Sequence, residues 1–176
     1  MPINLSQLFS FAFRPLFLLV VIQAVIHISL WFAVWNGIVA FSIESNPIYW
    51  HGHEMIAGFA GAAIAGFLLT AVATWTGRPQ VRGWPLAVLC LSWVLARLWM
   101  FSPMLAAVGG VFYWVWLLSL MTREVVASSN SRNFKVLAIL FVFLVLEILY
   151  QYSLIAQASW QRQILWSQLW VVIVMI

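Results

Sequence analysis

Charged side chains are nearly missing from this sequence, at 7% of its 176 residues. Soluble domains carry about 25% charged residues, so no water-exposed surface can be built from this composition. A soluble enzyme or binding module is excluded on that ground alone. Cysteine occurs once, as Cys90 inside an apolar run, which excludes an internal disulfide and reads as a small buried hydrophobe. There is no phosphate-binding loop, no dinucleotide fingerprint and no pairing of a nucleophile with a base, so no residue announces catalytic turnover. The N-terminus has no charged stretch ahead of a short apolar segment with a small-residue cleavage site, and a cleaved signal peptide is not expected.

What fills the sequence is apolar: 65% hydrophobic residues, with 12 tryptophans. Lipid offers no hydrogen-bond partners to the backbone, so a chain crosses it only as helices or as a closed barrel. The apolar runs here are continuous over about 20 residues rather than alternating, which selects helices. The expected fold is therefore an all-α, polytopic transmembrane bundle, a single domain over residues 1–176. A membrane-surface segment with Arg14 and Pro15 leads into a first span at residues 16–40. A loop over 41–50 carries Glu44, with Tyr49 and Trp50 as interfacial anchors. The second span covers 51–75 and stops at Thr76-Gly77-Arg78-Pro79. A third runs to about Phe101, a fourth from Pro103 to Met121, and a polar loop covers 122–133. The fifth span is 134–155. The last segment, 164–176, is too short as helix to cross a core of about 30 Å. The count is about five full spans and a partial sixth.

The net charge of +4 is an orientation signal rather than a nucleic-acid signature. With the N-terminus cytoplasmic, Arg14, Arg78, Arg82, Arg123, Arg132 and Lys135 fall inside, against Arg162 outside and Arg97 near an outer helix end. That asymmetry fits the positive-inside rule, and it puts His51, His53 and Glu54 at the outer end of the second span.

Ionisable groups within a membrane are costly and mark function by default. On a regular helix His51, Glu54, Met55, Gly58, Gly61, Ala62, Ala65 and Gly66 share one face, and its small residues suit a close helix–helix seam. His51 and His53 are two residues apart and point to opposite sides, so they serve different centres unless one belongs to a non-helical lead-in. Imidazole is a common ligand of copper and of haem iron. Glu54 is placed to support such a ligand, or to pair with Arg97 at similar depth on the next span. His27 and Glu147 fall near the midplane and could meet there as an intramembrane polar site. His27 is expected about half a bilayer below His51, too far to share an ion with it.

Trp50-His51-Gly52-His53-Glu54-Met55, followed by Ala65-Gly66-Phe67-Leu68-Leu69-Thr70-Ala71-Val72 and Trp75-Thr76-Gly77-Arg78-Pro79, closely resembles the NnrS family. Phe13-Arg14-Pro15, Gly83-Trp84-Pro85-Leu86 and Ala96-Arg97 look like the N-terminal half of that family. The resemblance implies a multi-pass bacterial inner-membrane protein that binds haem and copper and serves denitrification and the response to nitric oxide. Its motif maps onto His51, His53, Glu54 and Met55, making His51, His53 and Met55 the cofactor-ligand candidates, with His51 and His53 for metal. Family members are longer, with further histidines in a second half, whereas this chain has three. It also has Ala73-Thr74 where the family shows Pro-Asn. A second copy or a complementary half is then a natural partner besides the bilayer and nitric oxide. The competing readings are a structural scaffold with no cofactor of its own, and a small transporter or channel subunit with Glu54, His27 and Glu147 as a polar path. A di-haem quinol oxidase would need four axial ligands, which three histidines do not supply.

Overall fold

The computed structural model describes residues 5–39, 46–98, 102–128 and 131–175. The expected loop with Glu44 and the expected end of the third span near Phe101 lie outside the described residues. The elements are all helical: α1 (Leu5–Leu8), α2 (Phe13–Trp35), α3 (Pro47–His53), a π-helical segment (Glu54–Ala60), α4 (Gly61–Thr76), α5 (Trp84–Leu95), α6 (Pro103–Ala127), a 3-10 turn (Ser131–Asn133), α7 (Phe134–Ile155) and α8 (Gln161–Met175).

Local chemistry sets the boundaries. Asn46 caps α3, its side chain accepting from Ile48 N at 2.9 Å, with Pro47 in the first turn. Ser102 and Pro103 open α6 in the same way. Gly77 ends α4 in the left-handed region, at φ 66°. The connection before α5 is held by Gly83 N donating to Phe9 O at 2.8 Å.

Four stretches among the described residues are long and apolar enough to cross a membrane: Phe13–Trp35, Pro47–Thr76, Pro103–Ala127 and Phe134–Ile155. The second is α3, the π segment and α4 end to end. The expected third span is apolar but only 12 residues long as helix, about 18 Å at ~1.5 Å per residue. It ends in turns at Ala96 and Arg97, whose amides bond Ser92 O and Val94 O. Among the described residues, four long helices and this shorter one stand where five spans are expected. The expected polar loop is also shorter, because α6 runs on to Ala127 with Glu124 buried inside it.

The bundle is built around α4, which packs on α2 and α6, with α5 against α6 and α7 between α6 and α8. The core is aromatic and aliphatic, with Trp114 and Phe143 rings 4.1 Å apart and Leu16, Leu69, Leu89 and Leu117 fully buried. Outward faces are equally apolar: Val25, Phe32 and Val174 are more than 60% exposed. In water such faces would drive association, and their environment is the hydrocarbon of a bilayer.

Candidate functional site

Two polar groups of side chains lie next to each other where α3 meets the π segment, and the helix register there decides which residues join which group. In a π-helix each hydrogen bond spans one more residue than in an α-helix, so side chains beyond it are displaced round the axis. Carbonyls at this change of register are met by side chains: Trp93 Nε1 donates to Gly58 O and Tyr113 Oη to Gly61 O, both at 3.0 Å. The single small-residue face expected for a regular helix is therefore divided. Gly61 faces Trp114 on α6, and Gly66 faces Phe17 and Leu16 on α2.

The first group is interior and charged. Glu54 and Glu147 are buried on different helices, with His53 between them. His53 Nε2 lies 3.1 and 3.0 Å from the two carboxylate oxygens of Glu147, and its Nδ1 is 3.9 Å from Glu54 Oε1. Glu147 also accepts from Gln151 Nε2 at 2.8 Å and from Gln168 Nε2 at 3.0 Å. Glu54 Oε2 accepts from Gln23 Nε2 at 2.8 Å and sits 2.9 Å from Arg97 Nε. That last contact is close in distance but not aligned as a hydrogen bond, so it is an ion pair. Arg97 in turn lies over the Trp93 ring, 4.7 Å from its centre. Tyr150 stacks on His53 with ring centres 4.1 Å apart and planes 2° from parallel.

The second group is aromatic, and no carboxylate or guanidinium hydrogen-bonds to it. His27 Nε2 and His51 Nδ1 are 2.8 Å apart, one donating and one accepting according to tautomer. Trp31 stacks on His51 at 4.2 Å, and Trp50 lies 4.7 Å from His27. His27 is buried and His51 half-buried.

Glu54 and Arg97 are thus brought together, and His51 and His53 point to different neighbours. His27 and Glu147 do not meet: each takes a different histidine of the motif. The expected gap between His27 and His51 is also corrected. The first long helix is Phe13–Trp35, so its midpoint is Ala24 and His27 sits toward the Trp35 end. The second begins at Pro47, which places His51 a full turn inside it. Both shifts reduce the depth difference, and the imidazoles touch. Met55, next in the chain after Glu54, is half-buried.

Sequence reasoning passed over Gln23, Gln151 and Gln168. An amide in the middle of an apolar run is a signal of the same kind as an intramembrane charge, and Gln23 and Gln168 both lie in such runs. Trp50, expected at the interface, is instead 5% exposed and packed on His27.

As donors for a metal the three imidazoles differ. Both nitrogens of His53 are directed at carboxylates, leaving no lone pair free in this arrangement. His27 and His51 face each other across a single hydrogen bond. No three His, Cys, Asp or Glu side chains among the described residues converge as a metal-holding group.

Among known protein families, the model described as NnrS protein matches residues 7–176. No curated protein and no solved structure matches the chain.

Proposed function

The chain belongs to the NnrS family, and from that premise we propose that it is a bacterial inner-membrane protein of the nitric oxide response, linked to denitrification, holding haem or copper at the His51 end of its bundle. The observation that carries this reading is the gathering of all three imidazoles at one level of the fold, within a wall of Trp31, Trp50 and Tyr150. The excess of Arg and Lys on the N-terminal side supports a cytoplasmic N-terminus, which turns that end outward.

The chain's own residues divide the work. His51 is the first candidate ligand, being half-buried and free of any carboxylate hydrogen bond. His53 ties the end of α3 to α7 through Glu147 and so fixes the direction in which the motif points. Glu54 is held by Arg97 and Gln23, which fix its carboxylate between the two groups of side chains. A bound haem iron or copper ion would supply an open coordination position for nitric oxide.

The test is the visible spectrum and metal content of the detergent-purified chain, beside His51→Ala and His53→Ala. A Soret band or stoichiometric copper that is lost in His51→Ala supports the reading. A helical wild type with neither haem nor copper overturns it and leaves a structural scaffold.

A further inference from the structure

We propose that Trp93 is the positioning residue of the motif at residues 50–55, because it holds the second span in its π register. Without it the outer arm, α3 with Glu54, turns about the helix axis as one piece. That turn carries His51, His53 and Glu54 away from their partners. The inference concerns the helix and not what the motif binds, so it stands or falls apart from the cofactor reading.

The π segment changes the backbone pairing locally. Gly61 N bonds Ile56 O, five residues back, and Gly58 O, three back, where an α-helix uses the carbonyl four back. One side-chain donor lies on either side of this change. Tyr113, on α6, donates to Gly61 O at the start of α4. That side is fixed further by Ala62, Ala65 and Leu69, none of which has exposed surface. Trp93, on α5, donates to Gly58 O on the outer side. A change of register must turn one side against the other, and the outer arm is the side that turns.

Trp93 grips that arm twice. Its indole N–H takes a carbonyl of the segment, and its ring face carries Arg97, whose Nε is 2.9 Å from Glu54. The steric fit belongs to the same register. A methyl group at Gly58 would lie 3.1 Å from Arg97 Nη1, 3.1 Å from Glu54 Oε2 and 3.2 Å from Gln23 Nε2. Closing the segment to an α-helix turns the arm by one residue, about 100°. Ala57 then comes to the place of Gly58, with a methyl group where only a glycine sits comfortably. The closed helix gains regular backbone hydrogen bonds but leaves Trp93 Nε1 buried without its acceptor, which is costly. π-helix is rare, and a donor from outside the helix is what tips this stretch toward it.

The experiment is pulsed electron spin resonance on the full chain in lipid nanodiscs, with Cys90→Ala so that labels go only to introduced cysteines. Ile48→Cys on α3 is paired in turn with Met104→Cys on α6 and Ile148→Cys on α7, all at exposed positions. Side chains reach about 5–6 Å from a helix axis, so Trp93→Phe should shift at least one of the two distances by about 5 Å or more. Tyr113→Phe, which loses a buried hydrogen bond on the fixed side, should leave both as in the wild type. Removing Ala60 from the Trp93→Phe chain takes out the extra residue of the π segment and should restore the wild-type distances, because the arm then reaches an α register without turning. Unchanged distances in Trp93→Phe overturn the proposal. An equal shift in Tyr113→Phe, or one that survives removal of Ala60, also overturns it, since either means general loosening. If Trp93→Phe does not fold, benzothienylalanine at position 93 keeps the ring and replaces the N–H by sulphur. A second distance population is then expected, and a single wild-type distance overturns the proposal.

Discussion

His53 Nε2 sits between the two carboxylate oxygens of Glu147, joining residues 94 apart in sequence at the centre of the bundle. Because both side chains are buried, neither partner has water to fall back on when the other is removed. Taking one member from a buried, hydrogen-bonded ion pair costs about 3–5 kcal/mol. His53→Ala and Glu147→Ala are each expected to lose stability of that order in reversible detergent unfolding. The double variant should lose clearly less than the sum. Additivity within about 0.5 kcal/mol, as for independent sites, would show that the two groups do not act as a pair.

Arg97 tests charge against shape. Its guanidinium touches Glu54 and covers the Trp93 ring. Lysine keeps the charge but gives up the planar stack, so Arg97→Lys is expected to cost about 1 kcal/mol, the scale of a partly desolvated cation–π contact. Arg97→Ala leaves Glu54 buried without its cation and should cost about 3–5 kcal/mol. Thermal unfolding of the two variants side by side reads the difference, and equal losses would assign the whole effect to the shape of the guanidinium rather than to its charge.

Two glycines meet similar crowding with different consequences. A methyl group at Gly109 would lie 2.7 Å from Ala96 N, in the backbone where α5 ends. At Gly66 it would lie 2.8 Å from Phe17 Cε1, the end of a side chain that is 45% exposed and free to swing outward. Gly109→Ala should therefore lose at least the 1–3 kcal/mol typical of overpacking, and Gly66→Ala well under half as much. Melting temperatures of the purified variants decide it, and the reverse order would mean that α5 yields more readily than Phe17.

Much of this was legible from composition and spacing, and the remainder has identifiable causes. The helix Phe134–Ile155 was bounded correctly because Asn133 and the polar residues around it interrupt a long apolar run. Glu54 and Arg97 were paired from depth on consecutive spans. Depth failed for His27, because hydropathy locates a span but not its capping residues, and an error of about a turn at each of two helices separated rings that touch. Rotation about an axis was less accessible still. Nothing in an apolar stretch signals that Glu54–Ala60 follows a π register, so the faces of Gly61 and Gly66 could not be assigned correctly from a 3.6-residue period.

Every acidic side chain in the described residues is interior: Glu54, Glu124 and Glu147 are each under 5% exposed and each is paired with a basic group. Glu124 alone holds two guanidinium groups, those of Arg78 and Arg123. Arg14, Arg82, Arg132, Lys135 and Arg162 are left on the outside. The side-chain charge that this part of the molecule presents is thus of a single sign. Positive charge at the helix ends is the sign that phospholipid phosphate attracts. With the described carboxylates buried, nothing of the opposite sign competes for those groups among the described side chains.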